Sequence, residues 1–192
     1  MIPFNFIEIL PALPEIFLII SAAFLLLVGA WKGLTFFDSI CRLSIGFILV
    51  ALMLVLKLPH TEKLALYGMF LSNSFTIYIK LVILLGTAFS ILLAMGFFRH
   101  QEFAGKVELP VLMLLAAAGM MCMVSANNLI SLYMGLELQG LTLYVMAALN
   151  RDSVRSSEAG LKYFMLGALA SGLLLYGASL IYGFTGTTDF AE

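Results

Sequence analysis

The stretch Asn128-Leu-Ile-Ser-Leu-Tyr-Met-Gly-Leu-Glu137-Leu-Gln-Gly-Leu-Thr-Leu-Tyr-Val-Met146-Ala-Ala-Leu149 carries a single charged residue, Glu137, close to its middle. A helix needs about 20 predominantly apolar residues to cross a bilayer, and this run is long enough. Placing a charge at the centre of such a helix costs roughly 2.5–3.5 kcal/mol on insertion scales. Residues of this kind therefore face a bundle interior or a watery path rather than lipid. Glu137 reads as a proton or ion site, against the alternative of a structural hydrogen-bond acceptor or a buried ion-pair partner.

The rest of the chain agrees with a membrane setting. Its 192 residues are 62% hydrophobic and 11% charged, with a mean hydropathy of +1.09. Soluble domains carry about 25% charged residues. A net charge of −1 and the absence of a basic patch leave nothing to neutralise phosphates, which sets nucleic-acid partners aside. Cys41 and Cys122 lie in or beside different apolar segments, without Cys/His spacing for zinc or haem, and read as buried thiols. His60 and His100 stand in polar connections and read as solvated. No phosphate loop, nucleophile motif or dinucleotide fingerprint is present, so no redox cofactor is expected in this chain. Met1–Leu10 lacks the basic start of a secretory signal, so the first helix is expected to stay in the membrane.

Six apolar runs are long enough to cross: about 12–30, 40–58, 77–98, 109–126, 128–149 and 158–183. The expected fold class is an all-α polytopic membrane bundle. Pro14 and Pro110 fall at helix beginnings, where a missing N–H does no harm. Asn127-Asn128 suits a tight turn between the fourth and fifth helices. With the N-terminus outside, the inner loops hold Lys32, Arg42, Arg99, Lys106, Arg151 and Arg155, and the outer side holds Lys57, Lys63 and Lys80. Basic residues favour inner loops, so this orientation is expected, with the tail Thr187–Glu192 on the outer face. The segment Pro59–Phe75, with Tyr67, Phe70 and Phe75, suggests a folded loop at the outer interface.

On a helix of 3.6 residues per turn, Tyr133, Gly140, Leu141 and Tyr144 share a face with Glu137. Gly140 clears space beside the carboxyl, and the tyrosines offer hydroxyls. A mobile positive neighbour would switch such a carboxyl between protonation states, as a proton relay requires. Lys162 is the second anomaly, about one turn into the sixth run. It either turns inward or snorkels to the headgroups and pairs with Glu158, four residues earlier. At 1.5 Å per residue, Glu137 lies roughly 20 Å, and Lys162 roughly 6–12 Å, from the loop joining their helices. Direct contact is not expected, although water could link them. Gly160, Gly167, Ser171 and Ala178 form a small-residue stripe, with Ala168 and Gly172 as a further pair, which implies close helix packing. Ser156 or Ser157 is the expected cap of the sixth helix, with Glu158 near its positive end.

Glu137-Leu-Gln-Gly-Leu-Thr-Leu-Tyr-Val-Met-Ala-Ala, Ser157-Glu-Ala-Gly-Leu-Lys-Tyr-Phe and Leu166-Gly-Ala-Leu-Ala-Ser-Gly-Leu-Leu-Leu-Tyr-Gly-Ala-Ser-Leu-Ile-Tyr-Gly-Phe-Thr-Gly186 are continuous through two helices and their loop. They closely resemble subunit N of bacterial proton-translocating NADH:quinone oxidoreductase, complex I, an antiporter-like family. Similarity spans about Ser125–Thr187, and Leu13-Pro-Glu-Ile adds a weaker match. Gly140 and Gly160 replace the Ser and Ala more usual there, both small-for-small changes.

The resemblance implies a membrane-arm subunit in a bacterial inner membrane, beside other membrane-arm subunits and without a redox cofactor of its own. NADH, flavin, iron–sulfur clusters and quinone belong to the whole complex. Glu137 matches the family's fifth-helix glutamate and Lys162 its sixth-helix lysine, both implied in proton transfer. Residues 1–124 would form the first four helices, and 125–192 the start of a proton-translocation domain within about fourteen helices. On this reading the chain is the N-terminal part of a longer protein or a truncated product, lacking the seventh-helix lysine that partners Glu137, and is not expected to pump alone. The alternatives are a cation/proton antiporter subunit and a membrane scaffold without transport.

Overall fold

A computed structural model describes residues 9–32, 36–59, 62–99 and 107–190, without the side chains of Lys32 and Arg99. His60, His100 and Lys106 and the opening residues 1–8 lie outside the described residues. A 3-10 turn, Leu10–Ala12, leads into α1 (Leu13–Lys32), followed by α2 (Phe37–Leu56). A short hairpin, β1 (Lys63–Ala65) and β2 (Phe70–Ser72), precedes α3 (Ser74–Arg99), α4 (Glu108–Val124), α5 (Leu129–Ala147) and α6 (Val154–Thr185).

Helix ends fall where the side chains satisfy the free backbone groups. Pro14 and Pro110 occupy the first turns of α1 and α4, where no intrahelical N–H bond is lost. Asn128 caps α5: its Oδ1 accepts from the Ser131 N–H at 2.7 Å and from the Ser131 hydroxyl at 2.7 Å. The cap of α6 is Ser153, which accepts from the Ser156 N–H, and not Ser156 or Ser157. The Ser156 hydroxyl instead donates to the Ala147 carbonyl at 2.9 Å, tying the loop back to the end of α5. Starting at Val154 makes α6 32 residues long, a turn longer at its start than the apolar run. At 1.5 Å per residue that exceeds the roughly 30 Å of hydrocarbon, so α6 tilts or projects. It ends at Gly186, whose φ of 77° is left-handed and favours glycine.

Among the described residues, five helices are long and apolar enough to cross a membrane; α4, at 17 residues, is the short one. It is also the most enclosed. It packs against α1, α2, α3 and α5, burying Leu109, Val111, Leu114, Ala117, Ala118 and Met121. Against α5 the approach is closest at Gly119 and Gly135. A Cβ on Gly119 would lie 2.7 Å from the Gln139 nitrogen, and one on Gly135 2.8 Å from the Met123 nitrogen. Only glycine permits that backbone contact, a packing mode suited to lipid, where helices gain nothing from hiding apolar surface. Outward faces remain apolar: Leu27, Phe89, Leu173 and Phe184 are exposed.

The expected interfacial loop at Pro59–Phe75 holds the antiparallel hairpin, with Leu64 opposite Leu71. Its turn uses positive φ at Leu66, Tyr67 and Gly68. The hairpin is stitched to the α4–α5 turn, because Asn127 Nδ2 donates to the Gly68 carbonyl at 2.8 Å and the Ser131 hydroxyl to Met69 at 3.0 Å. The tail joins the same end, where the Leu129 N–H donates to Thr188 at 2.9 Å. Lys80, counted among the outer-side cations in the sequence, is instead a buried residue inside α3. Without it the outer side of the sequence count keeps Lys57 and Lys63.

Candidate functional site

Glu137 is the ninth residue of α5, about 12 Å from its start at 1.5 Å per residue, and is half-buried toward α6. The Ser171 hydroxyl on α6 donates to Glu137 Oε1. The placement follows from the small-residue stripe: Gly160 lies against Ala148, and Gly167 under the Tyr144 ring. Ser171, one turn further, then reaches the carboxylate. A hydrogen bond to a charged group contributes about 1.5–3 kcal/mol, of the same order as the roughly 2.5–3.5 kcal/mol insertion cost. One serine thus offsets much of the cost of holding the charge.

Tyr133 and Tyr144 both stand close enough to Glu137 to feel its charge. Tyr144 is fixed by edge-on contacts with Tyr163 at 4.8 Å and Phe164 at 5.8 Å between ring centroids, which hold its hydroxyl beside Gly140 and Gly167. A cavity of about 650 Å³ opens beside it, with Glu108, Arg151 and Ser157 toward the α5–α6 loop and Tyr144, Gly160 and Phe164 deeper. Arg151 and Glu108 face each other there at 3.5 Å.

Lys162 does not join this group. It lies two residues beyond Gly160, about 200° around α6 from the stripe that packs on α5 at 3.6 residues per turn. Its side chain is 70% exposed and pairs with Glu158 at 2.6 Å. Of the two sequence alternatives, the structure shows the surface pair. Among the described residues, no group of three or more His, Cys, Asp and Glu side chains is placed to hold a metal.

Sequence reasoning missed a second polar pair. Lys80 on α3 is fully buried and meets Glu15 on α1 at 2.7 Å, with the Phe70 ring centroid 4.7 Å from its ammonium. The available signal was positional. Glu15 is the third residue of α1 and Lys80 the seventh of α3, and the two helices begin at the same end of the bundle.

Residues 126–192 match the family described as NADH:quinone oxidoreductase/Mrp antiporter, TM. The chain is 50% identical to NADH-quinone oxidoreductase subunit N of Rhodospirillum rubrum over 94% of its own length and 37% of that protein's. It is 52% identical to the subunit N of Parvibaculum lavamentivorans, over 96% and 38% respectively. Among solved structures it resembles a chain of respiratory complex I from Thermus thermophilus with bound aureothin, with a TM-score of 0.75 and 28% identity over 93% of this chain and 38% of that one. The chain therefore spans under two fifths of the length of the curated relatives it matches.

Proposed function

We propose that this chain, homologous over nearly all its length to the N-terminal part of NADH-quinone oxidoreductase subunit N, serves proton translocation in a respiratory NADH:quinone oxidoreductase, with Glu137 as the proton-carrying group. The observation that carries the reading is the Glu137–Ser171 contact at mid-helix between α5 and α6. A serine hydroxyl both donates and accepts. It donates to the carboxylate and, after rotation, accepts from the protonated acid, so either state of Glu137 keeps a partner. Proton uptake and release then proceed without leaving a buried group unsatisfied.

The cavity beside Tyr144 supports access from the loop end, whose polar mouth is formed by Glu108, Arg151 and Ser157. The Tyr144 hydroxyl stands on that side, beside Gly140 and Gly167. Electron transfer from NADH to quinone, with flavin and iron–sulfur clusters, is assigned to other subunits of the complex. Lys162, on the far face of α6, is the second proposed proton-transfer residue. The membrane is the bacterial inner membrane, with the hairpin end outside. Residues 125–192 begin the translocating region, and 1–124 are its supporting helices.

Two variants in the full-length protein separate transport from scaffolding. Glu137→Gln retains the hydrogen bond to Ser171 but carries no proton, so pumping falls while assembly persists. Under a scaffold role it would leave pumping intact, and Glu137→Leu would impair assembly.

A further inference from the structure

The proposed site leaves the Glu15–Lys80 pair unused. We propose that this pair is a second proton-exchanging site, serving α5 from the hairpin end of the bundle. The inference deepens the proton-transfer reading above and rests on it.

Three observations carry it. First, the pair is enclosed, with Glu15 2% and Lys80 0% exposed. A single carboxylate at 2.7 Å and the face of Phe70 leave Lys80 donors, and leave Glu15 Oε2, without a hydrogen-bond partner among the described residues. Buried polar atoms in folded proteins are satisfied by protein or by water, so these atoms call for water. Second, a largely apolar cavity adjoins the pair on the Glu15 side. It is about 460 Å³ and has Glu15 in its wall together with Phe70, Cys122, Ser131 and Leu138. Third, that cavity follows α5 from Ile130 to Leu138, about 12 Å at 1.5 Å per residue, from the hairpin end to the level of Glu137. It lies on a side of α5 roughly a quarter turn from the one Glu137 presents to α6. The cavity thus runs beside α5 from the pair at the hairpin end toward the level of Glu137.

The chemistry is a proton balance. The ionised pair holds carboxylate and ammonium; a proton from cavity water on Glu15 gives carboxylic acid beside ammonium, and its return to water restores the pair. No oxidant or further reactant is needed. The titratable neighbour on α4 is Cys122; α5 contributes the uncharged Ser131 and the hairpin the Phe70 ring. Protonating Glu15 removes the counter-charge of Lys80 and leaves an uncompensated cation between α1 and α3, the kind of change that biases a carboxyl within reach of its field.

The test uses the full-length protein assembled in its complex and reconstituted in liposomes. Removing one partner strands a buried charge, whereas replacing both with apolar residues of similar volume preserves folding. Glu15→Met/Lys80→Met is therefore expected to assemble and oxidise NADH, with a several-fold loss of protons moved per NADH. Wild-type pumping by that double variant would make the pair structural and overturn the proposal. Glu15→Asp keeps the charge and supplies a readout independent of the double variant's assembly. An infrared pH titration is expected to show a carboxyl band that shifts in Glu15→Asp, and the absence of any titrating band sensitive to position 15 would also overturn it. Glu137→Gln run in parallel separates the readings. If it pumps normally, the α5 reading fails; if it loses pumping while the Glu15/Lys80 double variant does not, only this inference fails.

Discussion

The Ser171 hydroxyl donates to the Glu137 carboxylate, so the one charge in the middle of α5 is held from α6 rather than from its own helix. That contact makes the α5–α6 packing part of the site. Ser171→Ala removes the donor and leaves the helices otherwise as packed. A lost hydrogen bond to a charged group is worth about 1.5–3 kcal/mol, and 1.4 kcal/mol is tenfold in an equilibrium. Proton translocation per NADH oxidised should fall in Ser171→Ala and be largely retained in Ser171→Thr. Equal pumping by the two variants would show that the serine does not control the carboxyl.

Gly167 tests the packing behind that contact. A Cβ there would run into the Tyr144 hydroxyl, while one on Gly172 meets nothing within 4 Å. Overpacking typically costs 1–3 kcal/mol, so Gly167→Ala should lower the thermal stability of the detergent-solubilised protein by about that amount. Gly172→Ala should be neutral or raise it by up to about 1 kcal/mol, since alanine is the better helix former. The comparison is a melting curve of each variant beside the parent.

Lys162 and Glu158 form an exposed i,i+4 pair, and such pairs contribute about 0.3–0.5 kcal/mol. Glu158→Gln should therefore leave stability and pumping nearly unchanged. If Lys162 serves proton transfer by facing another part of the translocating region, Lys162→Met should reduce pumping while Glu158→Gln does not. Identical, wild-type behaviour of both would restrict Lys162 to the helix surface.

Glu137, the helices and the Gly160, Gly167 and Ser171 run of α6 are legible because each is a local signal: a charge in an apolar run, a length, a spacing. The Ala168 and Gly172 pair, expected to pack closely, has nothing within 4 Å of a Cβ on Gly172. The sequence points to an α6 cap one turn too late, because Ser153, Ser156 and Ser157 are all competent caps and tertiary contact to Ala147 selects among them. The hairpin was legible only as a folded loop, since its strands are three residues each and owe their form to Asn127 and Ser131 elsewhere in the chain. Lys80 counts as an outer-side cation in the sequence for a related reason. Its partner, Glu15, sits two helices earlier, and no periodicity within α3 announces a long-range pair. Lys162 left two readings open, and only the packing of α6 on α5 decides which way it points here.

The central claim rests on one number: protons taken up per NADH oxidised, measured in liposomes containing the complex assembled with full-length Glu137→Gln. A sharp fall relative to the parent, with the subunit still incorporated, is the expected result. An unchanged ratio in a fully assembled complex would contradict it.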